Sequence, residues 1–118
     1  IYALKDGREI GFVIWHPNFY QALSNNARQN ELLFFLKCKL FAKRTTEYKI
    51  NTIGVLPAYE NSGAALGLIN EVYKRVKGRF SGGETAYVWD GNLKSTLFCR
   101  ATCVGECRHY VVYEWPLK

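Results

Sequence analysis

The stretch Val55-Leu-Pro-Ala-Tyr-Glu-Asn-Ser-Gly-Ala-Ala65 decides how the chain is read. Tyr48–Leu56 before it alternates and then runs apolar, as an interior strand does. Pro57 stops that strand, because it lacks an N–H for the ladder. Asn61 or Ser62 is positioned to cap a helix running to about Lys77, with Leu66, Ile69, Val72, Tyr73 and Val76 on one face. Gly78 and Gly82-Gly83 end the helix and form a loop. A helix start carries unsatisfied N–H groups and about half a positive charge. The small residues at 62–65 let those groups approach a ligand closely, as pyrophosphate binding requires. A helix start packed tightly on a sheet would use the same small residues.

Upstream, Ile1–Gly11 reads as two strand pieces around an Asp6-Gly7 turn. Glu9–Trp15 is β-branched and aromatic, hence a strand, and His16-Pro17-Asn18 ends it. Phe19–Leu23 reads as a helical turn and Ser24–Asn30 as a polar loop. Glu31–Arg44 has apolar residues at 32, 33, 36, 40 and 41, which predicts an amphipathic helix with Lys37, Lys39, Lys43 and Arg44 on or near its solvated face. Downstream, Glu84–Asp90 reads as a strand, Gly91-Asn92 as a turn, Leu93–Thr102 as a short helix and Arg108–Trp115 as a final strand. The order is β–α–β–α–β–α–β. Two strand–helix–strand units require some parallel pairing, and ligands in such sheets bind at the carboxyl ends of strands.

Pro57-x-Tyr59-x-x-x-Gly63-x-Ala65 after an apolar strand resembles the acetyl-CoA turn of the GNAT superfamily of N-acyltransferases, Arg/Gln-x-x-Gly-x-Gly/Ala. The order of later features agrees. Glu84-Thr-Ala-Tyr-Val-Trp-Asp-Gly-Asn92 looks like the family's next strand, which often ends in Asn. Leu93-Lys-Ser95 opens the following helix, and Gly105 precedes the last strand. Gly11–Asn18 looks like the strand before the acceptor-site loop. The resemblance covers about residues 8–117. It implies one α/β (α+β) domain over 1–118, with a mixed, mostly antiparallel central sheet and flanking helices. The family's first strand and helices would then be missing or divergent. It also implies N-acetyl transfer from acetyl-CoA, or another acyl-CoA, to an amine acceptor by direct attack. In the family, backbone N–H groups corresponding to Ile53, Gly54 and Val55 bind the pantetheine and polarise the thioester. The turn corresponding to Glu60, Asn61, Ser62, Gly63, Ala64 and Ala65 holds pyrophosphate, and Asn92 lies near the pantetheine arm. The sequence departs from the pattern at two places. Glu60 stands where Arg or Gln is usual, and Phe98 and Cys99 stand near the place of a Tyr acid. These departures favour, as the alternative, a non-catalytic CoA-binding or interaction module of the same fold.

The attacking amine must lose a proton, so a base is needed. His16 and Asp90 are the candidates, and Glu84 is weighed beside them as a solvated strand start. An imidazole ordinarily titrates near neutrality, though a His beside Pro17 also reads as a turn residue. Asp90 before Gly91 reads equally as a turn former. Tyr59 and Tyr87 read as packing aromatics. Cys99 has no His or Asn constellation that would make it a nucleophile.

Composition limits the remaining classes. The 118 residues suit one domain; half are apolar and 15% aromatic, which describes a globular chain. No apolar run reaches ~18 residues, so no membrane partner is expected. The opening residues carry no signal-peptide pattern. The absence of Met and the start on Ile1 in mid-pattern suggest a fragment. Cys38, Cys99, Cys103 and Cys107 lack zinc-ligand spacing and read as thiols in a reducing cytoplasm, so no metal is expected. The net charge of +6 suits a polyphosphate cofactor. It would also suit nucleic acid, but no nucleic-acid-binding signature supports that partner. A homodimer is left open.

Overall fold

The computed structural model describes residues 1–22, 31–41, 43–105 and 110–111. Its described residues form two compact units, Ile1–Ala86 and Tyr87–Lys118.

The first unit is a four-stranded sheet with helices. Strands β1 (Tyr2–Lys5), β2 (Arg8–Pro17), β3 (Glu47–Val55) and β4 (Gly82–Thr85) lie side by side in sequence order. β1–β2 and β2–β3 are antiparallel, and β3–β4 is parallel. The sheet is therefore mixed and mostly antiparallel, as expected. Asp6 and Gly7 turn the first hairpin with positive φ at both positions, the geometry that suits a two-residue connection.

β3 continues through a 3-10 turn, Pro57–Tyr59, into α2 (Ala64–Val76), and α2 leads to β4. This is the strand–helix–strand unit that makes β4 parallel to β3. The core is the seam between α2 and one sheet face. Leu68, Val72 and Val76 pack with Val13, and Ile1, Ala3, Trp15, Tyr48, Ile50, Ile53, Val55 and Phe80 close around them. Trp15, Tyr48 and Phe80 meet edge to face, with centroids 5.9–6.4 Å apart. A register shift between Ile14 and Trp15 inserts an extra β3 residue. That bulge lets Ile50 and Ile53, three residues apart, face the same core.

Several sequence expectations need correction. Val72 and Val76 are buried on α2 as expected, but Leu68 joins them while Leu66 and Tyr73 are exposed. The 68/72/76 stripe has the same helical period as the expected one but is rotated around the axis. The N-cap of α2 is Gly63 (φ 80°), not Asn61 or Ser62, and no side chain caps the helix. Gly82 and Gly83 lie in β4 rather than in a loop, because they register against Glu47 and Tyr48. β4 ends at Thr85, so the strand expected through Asp90 stops early. Tyr87 and Trp89 are exposed in irregular backbone.

Helix α1 (Glu31–Phe41) forms as expected but ends before Arg44. Most of its apolar residues are exposed among the described residues: Leu32, Leu33, Phe35, Leu36, Leu40 and Phe41, with Phe34 half-buried. The expected turn near residue 19 is a 3-10 turn, Phe19–Ala22. The loop expected at Ser24–Asn30 lies outside the described residues.

In the second unit, α3 spans Leu93–Thr102, as expected. Asn92 caps it, its Oδ1 accepting the Ser95 N–H at 3.1 Å. Tyr87 and Tyr110 meet edge to face at 4.4 Å. Apart from Tyr110 and Val111, which are irregular, the expected final strand lies outside the described residues. Cys38, Cys99 and Cys103 are in no disulfide, and Cys107 is outside the described residues. Among the described residues, no helix is long and apolar enough to cross a membrane.

Candidate active site

Two backbone features meet at the carboxyl end of β3. The first is an open strand edge. β4 pairs with β3 only from Glu47↔Gly82 to Ile50↔Thr85, and the Ala86 N–H donates to the Ile50 carbonyl. Among the described residues, no strand pairs with Asn51–Val55 on that side. The Leu56 N–H donates to the Ile10 carbonyl across to β2. Counting back by the period of two turns Gly54 and Thr52 toward β2. The backbone groups of Ile53 and Val55 therefore face the open side. Their side chains meanwhile pack on the core and hold the strand rigid.

The second feature is the turn. The Tyr59 N–H donates to the Leu56 carbonyl, the Glu60 N–H to that of Pro57, and the Ser62 N–H to that of Tyr59. The Ser62 hydroxyl also donates to the Tyr59 carbonyl at 2.7 Å. These bonds coil the loop on itself. The first α2 bond runs from the Gly67 N–H to the Gly63 carbonyl. The N–H groups of Gly63, Ala64, Ala65 and Leu66 thus have no intrahelical acceptor, and no side chain caps them. A Cβ on Gly63 would meet nothing within 4 Å, so the approach to these donors is open. Nearby, Lys5 Nζ stands 5.2 Å from the Tyr59 ring centroid. Glu60 is exposed. The turn thus fits a phosphate group: uncapped donors, small residues and a neighbouring cation.

Of the two candidate bases, His16 lies in this unit. It registers directly against Lys49, which in turn registers against Glu84. Directly opposed residues share a sheet face, so His16, Lys49 and Glu84 form one row. That row lies on the face away from α2, since the alternating Trp15, Tyr48 and Ile50 pack on the core. The His16 ring stacks on Phe19 at 5.6 Å, and its Nδ1 lies 2.8 Å from the Pro17 carbonyl. The tautomer with Nδ1–H donating there leaves Nε2 as the proton acceptor. Asp90 and Asn92 belong to the second unit, Asp90 in an exposed turn and Asn92 at the α3 cap.

One group was missed in the sequence. Asn18 is only 6% exposed. Its Nδ2 donates to Glu47 Oε2 at 3.2 Å and Glu84 Oε1 at 3.4 Å, and Lys49 Nζ pairs with the same Glu84 oxygen at 3.2 Å. The i, i+2 pair Glu47 and Lys49 was the available signal, but Asn18 reads only as a strand terminator. Among the described residues, no cluster of three or more His, Cys, Asp or Glu is arranged to hold a metal.

No protein-family model and no curated protein matches the chain. Solved structures do. An aminoglycoside 6'-N-acetyltransferase of Acinetobacter haemolyticus superposes with a TM-score of 0.63 at 19% identity, over 99% of this chain and 69% of its own. An aminoglycoside N-acetyltransferase in complex with CoA gives 0.59 at 18% identity, over 98% and 74%. A ribosomal-protein-alanine N-acetyltransferase of Brucella melitensis gives 0.54 at 18% identity, over 98% and 69%. At these identities the likeness is one of fold, and it agrees with the mixed, mostly antiparallel sheet and its helices. The chain has the fold of the GNAT acetyltransferases.

Proposed function

We propose that the chain is an N-acetyltransferase that passes an acetyl group from acetyl-CoA to an amine acceptor. The supporting observation is the continuity of the open β3 edge with the uncapped N-terminus of α2. One offers the N–H groups of Ile53 and Val55 to a pantetheine and its thioester carbonyl. The other offers Gly63, Ala64, Ala65 and Leu66 to a pyrophosphate. A neighbour of the same fold is known in complex with CoA.

Acetyl-CoA supplies the activated acyl group when bound. His16 is the proposed base in the first unit, acting through a water chain because it lies opposite Lys49, four strand positions before Ile53; Asp90 is the proposed base in the second unit. The base takes the proton of the amine as its nitrogen bonds to the carbonyl carbon. The C–S bond then breaks, and the CoA thiolate takes a proton from water while the base returns its own to solvent. Backbone donors aimed at the developing oxyanion stabilise it without reorganising.

Calorimetric titration tests the reading. Acetyl-CoA is expected to bind, Gly63→Glu to abolish binding, and Gly63→Ala to keep most of it. Absence of binding at millimolar acetyl-CoA would overturn the function. Unchanged affinity in Gly63→Glu would overturn the placement.

A second reading is a CoA-binding or interaction module without catalysis. Glu60 at the usual Arg/Gln position, and Phe98 and Cys99 near the place of the acid, favour it. Acetyl-CoA binding without acetyl transfer to any of a panel of amines would select it.

A further inference from the structure

Helix α1 presents an apolar side to solvent. Leu32, Leu33, Phe35, Leu36 and Leu40 are between 48% and 73% exposed. At about 100° per residue they span roughly 160° of the helix circumference, wider than the ~100° stripe of an ordinary amphipathic helix. α1 meets the 3-10 turn Phe19–Ala22, and the half-buried Phe34, Lys37 and Cys38 fall together on the side opposite the apolar arc. A contiguous exposed apolar patch of this kind marks an interaction surface. Charge is a second observation. Lys39 lies inside the arc and is exposed, and the exposed Lys43 and Arg44 follow the end of the helix. The Arg44 guanidinium stands 5.5 Å from the Phe41 ring centroid, which holds it beside that end. Glu31, at the other end, is the only acidic residue from 31 to 44.

We infer that α1 lies flat on an anionic lipid surface, with its leucines and Phe35 at the boundary of headgroups and acyl chains and with Lys39, Lys43 and Arg44 on the anionic headgroups. None of these residues belongs to the proposed acetyl-CoA site. Shape and charge together select this partner. A protein groove takes a narrow stripe of a helix, and closing one over this arc would bury the Lys39 ammonium without water. A second copy would set Lys39 against its counterpart in the same apolar seam. A lipid surface accepts the whole arc, and the long stem of Lys39 carries its charge out of the apolar layer to the headgroups. Lys43 and Arg44 add attraction to anionic lipid at the same end. The expectation of no membrane partner rested on the lack of a spanning run, and a helix in the plane of the interface needs none. With 11 residues α1 is about 16 Å long, far short of the ~30 Å hydrocarbon core, so it rests on the bilayer and does not cross it.

The test is flotation of the full chain with vesicles of phosphatidylcholine alone and of phosphatidylcholine mixed with phosphatidylserine. The chain should bind the mixed vesicles about tenfold or more tightly than the neutral ones. Leu36→Glu and Leu40→Glu should each weaken that binding by about tenfold or more, since each removes apolar area from the lipid contact and adds a repelled charge. Lys39→Gln, Lys43→Gln and Arg44→Gln together should weaken it about a hundredfold, at roughly fivefold per cation. All five side chains are exposed, so the fold should survive, and thermal unfolding of each variant checks that. A monomer that floats with the mixed vesicles and is released by either leucine substitution upholds the lipid contact. Absence of binding to the mixed vesicles overturns it, as does binding that ignores both leucine substitutions. Equal binding to neutral and mixed vesicles overturns it too. Sedimentation equilibrium without lipid covers the other occupant: a dimer that Leu36→Glu disperses would assign the arc to a second copy and overturn the lipid contact.

Discussion

Glycines at two places show how single residues set this site. Gly63 has φ 80°, a region where an L side chain costs about 1 kcal/mol. Gly63→Ala should lower stability by about that much in urea unfolding, while adding no steric block at the donors. Gly11 and Gly54 sit on adjacent strands just before the turn and differ in what a Cβ would meet. At Gly11 it would lie 2.8 Å from the Gly54 carbonyl oxygen, a backbone atom, and 3.2 Å from Val55 Cγ2. At Gly54 it would meet the Phe12 ring at 3.0 Å, and Phe12 is an exposed side chain with room to turn. Overpacking against backbone costs about 1–3 kcal/mol. Gly11→Ala should therefore destabilise by about 2 kcal/mol or more and weaken acetyl-CoA binding by shifting Val55. Gly54→Ala should cost less than about 1 kcal/mol. Equal losses for the two variants in urea unfolding would contradict the close approach at Gly11.

Helix α2 is the element that ties the turn to the core, and its buried face separates two readings of one periodic pattern. Leu68 is 2% exposed and Leu66 59%. Leu68→Ala should cost about 2–4 kcal/mol, and Leu66→Ala less than about 1 kcal/mol. Thermal unfolding distinguishes them, and the opposite ranking would restore the face read from sequence. Val72 and Val76 were read correctly, but the first turns of that face were misread because Ala64, Ala65, Leu66, Leu68 and Ile69 crowd them, so several stripes fit until a partner surface selects one. The limits of α3 were legible because Asn92 is a local signal, a side chain capping its own helix. β4 was shifted for the opposite reason: strand limits are set by a partner. Gly82 and Gly83 are poor strand formers that the parallel register with Glu47 and Tyr48 enlists, whereas Tyr87-Val-Trp89 has strand composition but lies past the last pair. The turn between β3 and α2 was legible for the same reason as α3, being local in sequence. The Asn18–Glu47–Glu84 group was not, because it joins residues 29 and 66 positions apart.

Across the whole molecule the net charge of +6 invites two explanations, a cofactor with several phosphates or a nucleic acid. Salt separates them. Raising ionic strength from about 0.1 M to about 1 M shortens the screening length from ~10 Å to ~3 Å. A general cationic surface that holds a nucleic-acid backbone through many phosphates loses orders of magnitude in affinity over that range. The proposed pyrophosphate turn, with its backbone N–H donors and Lys5 beside Tyr59, would be less sensitive, because contacts shorter than the screening length survive it. In the proposed binding mode the rest of the acetyl-CoA affinity would come from the uncharged pantetheine along the edge of β3, which salt does not screen. Acetyl-CoA affinity should therefore fall by about tenfold or less over this range, and pantetheine affinity should stay level. Oligonucleotide binding, if measured at low salt, should vanish. An acetyl-CoA affinity that falls as steeply as that of an oligonucleotide would place the cofactor on the diffuse basic surface and not in the turn at Gly63.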